Sequence, residues 1–205
     1  MKSGLVILDR DGVINFDSDQ YIKSVTEWMP IPGSLEAIAR LSRADLSIVV
    51  ATNQSGIARG LYDMTTLNLI HQKMVEALRE HGGEIEAIFF CPHGPEDGCA
   101  CRKPKPGLLH EISDRLNVSL AGVPVVGDSL RDLESAKAAG AAPVLVRTGN
   151  GARSETELSS AQAEGREPRV PVYDDLSAFA EDLLYGALKD DLAALRPSTM
   201  ETESH

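Results

Sequence analysis

Aromatic side chains are scarce: one Trp, four Tyr and four Phe in 205 residues. The core therefore has to be assembled from Leu, Val, Ile and Ala. Positive charge is also in deficit. Lys and Arg total 20 against 31 Asp and Glu, a net charge of −11. That balance argues against nucleic acid or an acidic membrane surface as the main partner. A small anionic substrate is still allowed, because a site's local charge can oppose the global sign. No apolar run approaches the roughly 18 residues of a membrane span. The first residues carry one Lys and then a short apolar run broken by Asp9, so no signal peptide is expected. With only three cysteines, no complete internal pairing exists, and a cytoplasmic chain is expected. What remains is the composition of a soluble globular protein, long enough for one domain with a sizeable core.

Apolar runs alternate with helical patterns. Strands are expected at Leu5–Leu8, Leu46–Ala51, Ile85–Phe90, Val123–Val126 and Val144–Val146. Helices are expected at Ser34–Ala44, Met64–His81, Gly107–Leu116 and Leu130–Ala139, the last stopped by Gly140. The polar stretch Gly149–Pro168 reads as a surface loop or short helix, and Arg169–Val172 as a short sixth strand. A docking helix is expected over Asp175–Leu195, with a polar, disordered tail after it. The fold class is α/β, a Rossmann-like three-layer α/β/α sandwich around a central, mostly parallel sheet. No insertion is long enough for a large cap domain. One domain is expected over 1–190 and a flexible tail over 191–205, and the chain is expected to act as a monomer.

All three cysteines lie in Cys91-Pro92-His93-Gly94-Pro95-Glu96-Asp97-Gly98-Cys99-Ala100-Cys101. Three thiols and one imidazole are the donor set of a closed tetrahedral zinc site. Full coordination by protein makes that Zn2+ structural, fixing a loop that presents Arg102 and Lys103. His71, His81 and His110 fall in helical patterns and are expected at the surface.

Polar residues gather just after strands, where an open parallel sheet binds ligands. Asp9-Arg10-Asp11-Gly12 follows the first strand. Two carboxylates so placed can divide the labour of phosphoryl transfer, one attacking phosphorus, the other kept protonated to serve the leaving group. The same four residues are also ordinary turn chemistry. Asp128 follows the fourth strand and suits Mg2+, though Asp128 or Ser129 would equally serve as a helix N-cap. Asp132 shares its helix face. Thr52 and Asn53 end the second strand, where a hydroxyl and backbone amides can hold phosphoryl oxygens. Lys103 brings a point charge to a phosphate, and Arg102 a fork for a second anionic group.

These segments, Asp9-Arg10-Asp11-Gly12, Thr52-Asn53-Gln54-Ser55-Gly56, Lys103 and Gly127-Asp128-Ser129 with Asp132, resemble the four motifs of the haloacid dehalogenase (HAD) superfamily over roughly residues 4–150. The zinc loop with Arg102-Lys103-Pro104 is similar to the branch that holds heptose-bisphosphate and histidinol-phosphate phosphatases. The run Ser55-Gly56-Ile57-Ala58-Arg59-Gly60 and the run Val146-Arg147-Thr148-Gly149 favour the heptose side. The five residues between His93 and Cys99 favour the histidinol side.

The resemblance implies a Mg2+-dependent phosphatase acting on a small sugar bisphosphate. Asp9 would be nucleophile and Mg2+ ligand. Asp11 would be general acid/base and bind Mg2+ through its carbonyl, and Asp128 would complete the metal site. Thr52 and Lys103 would hold the phosphoryl group. Arg102, the loop Asp17, Ser18, Asp19, Gln20 and the turn Asn53, Gln54, Ser55 would contact substrate. Three rivals stand beside this reading: a histidinol-phosphate phosphatase, a zinc-stabilised protein without catalysis, and a nucleic-acid end-processing phosphatase.

Overall fold

Gly4–Leu8 has no polar side chain to turn toward solvent, so the strand it forms, β1, must sit inside a sheet covered on both faces. The computed structural model describes residues 4–165 and 168–186 and places β1 third of six strands. The others are β2 (Leu46–Asn53), β3 (Ala87–Cys91), β4 (Pro124–Gly127), β5 (Ala142–Val146) and β6 (Val172–Tyr173). Their order is β3-β2-β1-β4-β5-β6, and every pairing is parallel. β1 is flanked by β2 and β4, with Ile7 opposite Val49 on one side and Val125 on the other. The direction of winding reverses at this point, which opens a crevice at the carboxyl ends of β1 and β4.

The strand period of two divides the core. Val6, Leu8, Ile48, Val50, Val126, Val144 and Val146 face one layer, built from α1 (Ser34–Arg43), α2 (Met64–Glu80) and α6 (Leu176–Tyr185). Leu5, Ile7, Val49, Ala51 and Val125 face the other, with α3 (Gly107–Leu116) and α4 (Leu130–Ala138). Leu158 of α5 (Gly151–Ala163) closes that second layer against Leu133, Leu145 and Val170. Each aliphatic side chain so buried contributes about 1.5–3 kcal/mol before chain entropy is counted. Asp63 and Asp175 start α2 and α6 by accepting from Thr66 N and Ala178 N, both at 2.8 Å. Among the described residues no separate cap stands over the crevice, and no helix is long and apolar enough to cross a membrane.

Three expectations change. The Gly149–Pro168 stretch carries the 13-residue helix α5; a single apolar anchor, Leu158, docks it, and its remaining composition is that of a solvated face. The sixth strand lies at Val172–Tyr173, because pairing with Leu145 and Val146 sets its register. Aromatics are few but not marginal: Trp28 and Phe179 are among the largest fully buried side chains. The last helix is described to Tyr185. The expected positions of Leu188 and Leu192, the boundary at 190 and the tail lie outside the described residues.

Phe179 packs edge-on against Tyr173, centroids 5.6 Å apart, within the α1–α6 layer. Phe179→Ala is expected to lower the free energy of unfolding by about 3–5 kcal/mol in urea titration. A loss under about 1 kcal/mol would show that α6 is not part of the core.

Candidate active site

Asp9 leaves the end of β1, Thr52 is the next-to-last residue of β2, Lys103 sits beyond β3, and Asp128 follows β4. Residues far apart in sequence therefore meet. They line one cavity of about 340 Å3 together with Asp11, Asp17, Ser18, Asp19, Asn53, Gln54, Ser55 and Arg102. Gln20 is not among the residues of that wall.

Lys103 is one of two buried cations of the cavity, only 3% exposed. Its Nζ lies 3.0 Å from Asp9 Oδ1 and 2.5 Å from Asp132 Oδ1, and donates to Ala51 O at 2.8 Å. Burial alone would strip the proton from this amine; Asp132 and Asp9 outweigh burial and raise its pKa. Asp132 is fixed in turn by Ser129 N (3.1 Å) and Ser129 Oγ (2.5 Å). The Asn53 side chain exchanges two 3.1 Å hydrogen bonds with the Lys103 backbone, so it holds the lysine in place. Burial pushes the Asp9 carboxyl up, Lys103 opposes this, and the charges of Asp132 and Asp11 add to it. Asp9 Oδ1 is buried, and the Lys103 ammonium at 3.0 Å is its close partner.

Asp11 is held differently. Arg10, 1% exposed, reaches it with Nη2 at 2.8 and 2.9 Å and Nε at 3.1 Å. Asn15 Nδ2 donates to it at 2.8 Å and Gln54 Nε2 at 2.9 Å. Burial alone would raise the Asp11 carboxyl, but Arg10, Asn15 and Gln54 outweigh it and hold it below the usual range. The buried guanidinium from the residue between the two acids thus favours the ionised form of Asp11, whereas the leaving group needs the protonated one. Gln54 is fully engaged, accepting from Arg10 Nη2 (3.1 Å) and Tyr62 OH (2.6 Å) and donating also to Thr52 Oγ1 (2.9 Å).

Asp128 Oδ2 accepts from the backbone N (2.8 Å) and side-chain Nδ2 (3.2 Å) of Asn150. Gly12 adopts φ +81°, and a Cβ there would stand 2.1 Å from Asp128 Oδ2, so the turn admits no side chain. Burial, then the charges of Asp9 and Asp132, push the Asp128 carboxyl up to about 7. One carboxylate oxygen from each of Asp9, Asp128 and Asp132 lies within 4.8 Å of the others. Asp132 is committed to Lys103 and Ser129, which leaves Asp9 and Asp128. Two acids beside a space for phosphate is a set that fits Mg2+.

The second metal group is equally well formed. Cys91 Sγ lies 3.6 Å from His93 Nδ1, 3.7 Å from Cys99 Sγ and 3.3 Å from Cys101 Sγ, and Cys101 Sγ lies 3.4 Å from His93 Nδ1. The edges of a tetrahedron with Zn–S bonds of 2.3 Å are about 3.8 Å, so the four donors fit a closed zinc site.

Arg10, Asn15, Tyr62 and Asn150 escaped the sequence reading. Arg10 looked like a spacer and the others like loop residues; only their partners reveal them. His71 is corrected outright. It is 7% exposed, not at the surface, and Arg10 Nη1 donates to its Nε2 at 3.3 Å. Its helix turns this face toward the site, with Phe90 edge-on at 6.0 Å.

An aspartate pair, a buried lysine and a second strand-end aspartate on this sheet define a HAD-like hydrolase. Family profiles agree: one described as HAD-hydrolase-like matches residues 100–179, and one described as polynucleotide kinase 3 phosphatase matches residues 6–132. The chain belongs to the family of the D-glycero-beta-D-manno-heptose-1,7-bisphosphate 7-phosphatases. The protein of that name from Bordetella bronchiseptica is 58% identical over 89% of this chain and 99% of its own length. That from Pseudomonas aeruginosa is 54% identical over 90% of this chain and 99% of its own. The crystal structure of the Bordetella D,D-heptose 1,7-bisphosphate phosphatase, complexed with magnesium and phosphate, superposes with a TM-score of 0.83, covering 91% of this chain and 100% of that one.

Two predictions follow from this geometry. Cys99→Ser is expected to lower bound zinc from about one ion per chain, measured by elemental analysis, and to lower the melting temperature; unchanged metal content would remove Cys99 from the donor set. Burial, then Arg10, lower the His71 pKa from 6.5 to about 4. The unfolded chain therefore takes up a proton that the fold refuses, and stability is lost as pH falls from 6.5 toward 4. Against His71→Gln, this slope should amount to about 3 kcal/mol in urea unfolding. Equal slopes would mean that His71 is not buried as the neutral form.

Proposed function

We propose that this chain hydrolyses the 7-phosphate of D-glycero-D-manno-heptose 1,7-bisphosphate and leaves the 1-phosphate in place. The observation that carries this is Asp9, a buried carboxylate at the base of the cavity, set between Lys103 at 3.0 Å and the Asp128 carboxylate. In the first step an Asp9 oxygen bonds to phosphorus while the phosphorus–oxygen ester bond breaks, giving an aspartyl-phosphate and the sugar alkoxide, which takes a proton from Asp11. In the second step Asp11 takes a proton from water, the hydroxide attacks phosphorus, and Asp9 is released with inorganic phosphate. The Arg10 clamp favours the ionised Asp11 that the second step needs, and the proton taken up there is the one the next first step donates. Lys103 and the Thr52 hydroxyl bind phosphoryl oxygens. Mg2+ bound by Asp9 and Asp128, with the Asp11 carbonyl, supplies positive charge against the repulsion between Asp9 and the phosphate.

The lip supports a second phosphate. Arg59, Arg102 and Arg131 all border the cavity. A histidinol phosphate would present an amine and an imidazole, for which arginines are poor neighbours. The net charge of −11 likewise disfavours a nucleic-acid end. We place the enzyme in the cytoplasm, on a route to nucleotide-activated heptose for lipopolysaccharide. Relatives are named for the beta anomer, and the same preference is expected here.

The test is phosphate release with Mg2+ from both anomers of the bisphosphate and from histidinol phosphate at matched concentrations. A heptose bisphosphate is expected to win by a hundredfold or more in kcat/KM, about 2.7 kcal/mol of transition-state preference. A preference for histidinol phosphate would overturn the substrate assignment. Asp9→Asn is expected to abolish turnover with the fold intact by circular dichroism; retained activity would remove Asp9 as the nucleophile.

A further inference from the structure

Asn150 occupies the N-cap of α5, a position where an Asn side chain ordinarily accepts from its own helix amides. Here it makes no such bond. Its side-chain amide turns away from the helix and donates twice, to Asp17 Oδ2 at 2.9 Å and to Asp128 Oδ2 at 3.2 Å. A single NH2 group thus stands between two carboxylates that would otherwise repel each other. The Asn150 backbone N–H secures Asp128 independently at 2.8 Å. Asp17 has no such reserve.

The loop from Asp17 to Gln20 is otherwise held only by local bonds. Ser18 N donates to Asp17 Oδ1 (2.7 Å), Gln20 N to Ser18 Oγ (3.1 Å) and Tyr21 N to Ser18 O (2.9 Å). Among the described residues, the Asn150 amide makes the one hydrogen bond that carries residues 17–20 to another strand end. Each Asp17 oxygen already accepts one hydrogen bond, so this side chain holds its loop in place.

We propose that Asn150 is a positioning residue whose amide couples the order of the loop Asp17–Gln20 to cation occupancy at Asp9 and Asp128. Neutralising Asp128 relieves the repulsion across the wedge and lets Asp17 settle against Asn150. Coupling of this kind is reciprocal, so an ordered loop favours the cation by the same factor. The inference takes from the functional reading only the substrate used in one arm of its test.

The experiment is amide hydrogen exchange over residues 16–21, with and without Mg2+, on the wild-type chain, Asn150→Ala and Asn150→Asp, beside melting temperature and steady-state kinetics. In the wild type, Mg2+ is expected to slow exchange in the loop about fivefold, the size of one hydrogen bond's net contribution. Both variants are expected to lose that protection. Asn150→Asp sets a third carboxylate against Asp17 and Asp128 and should lose melting temperature along with the coupling. Asn150→Ala has no side-chain cap bond to lose and should keep its melting temperature while losing the coupling, which a purely capping role would not allow. With substrate, KM is expected to rise about fivefold with kcat within about twofold. The double variant with Asp17→Ala should be no worse than either single one. Undiminished Mg2+ protection in both variants, or single effects that multiply in the double variant, would overturn the proposal. The exchange arm needs no substrate, so it decides this point even if the bisphosphate is not hydrolysed.

Discussion

One buried ammonium organises the site. Lys103 Nζ bonds to Ala51 O on β2, pairs with Asp9 at the end of β1, and pairs with Asp132 in the first turn of α4. Three elements and the zinc loop therefore converge on one cation that has lost its water. Removing a partner from such a buried group costs about 3–5 kcal/mol, because the charge left behind is uncompensated. The position of Lys103 is thus over-determined, and so is that of Asp9. If Asp9 is the proposed nucleophile, which must meet phosphorus in line, this packing would supply its geometry.

The charges at the crevice do not balance by themselves. Asp9, Asp11, Asp128 and Asp132 face only Lys103 and Arg10 as buried cations, a deficit of two charges. The two cations are also shared unequally. Arg10 is spent on Asp11, and Lys103 on Asp9 and Asp132, so Asp128 has only the amides of Asn150. Burial and its acidic neighbours therefore act on Asp128 without a cation to oppose them, and its carboxyl is pushed up to about 7. A divalent ion between Asp9 and Asp128 makes up the deficit where it is largest. The same division explains how two acids two residues apart come to differ. Arg10 draws Asp11 down while burial draws Asp9 up.

The strands, the helices packed on them and the strand-end acids were legible because each leaves a local mark: a period of two, a period of 3.6, or a carboxylate after an apolar run. The zinc donors were legible from spacing alone. What failed to show was the support around them. Arg10 meets Gln54 across 44 residues and His71 across 61, and Asn150 meets Asp17 across 133. No local pattern marks such pairs. His71 sits at a helical position that composition alone assigns to the surface, and only the buried guanidinium beneath it explains why an imidazole belongs there. Helix α5 was underestimated for the converse reason: one buried leucine, Leu158, is a weak signal in a polar run.

The two metals implied by the donors serve different purposes. The zinc loop offers little hydrophobic grip: its buried anchor is Cys91 at the end of β3, and Cys101 packs only partly against the second core layer. Polar ties supplement it, from Lys105 Nζ to Cys99 O at 2.8 Å and from Arg102 Nη1 to His93 O at 3.2 Å. A closed donor set pins Cys101, and Lys103 follows two residues later with its backbone clasped by Asn53. Zinc thus contributes by geometry, holding a loop stiff enough to drive a lysine into the protein. An ion held between Asp9 and Asp128 would contribute by charge, with coordination places left for phosphate oxygens. Losing the first would misplace Lys103 and, with it, the partner that fixes Asp9. Losing the second would leave the same residues in place facing an anion they repel.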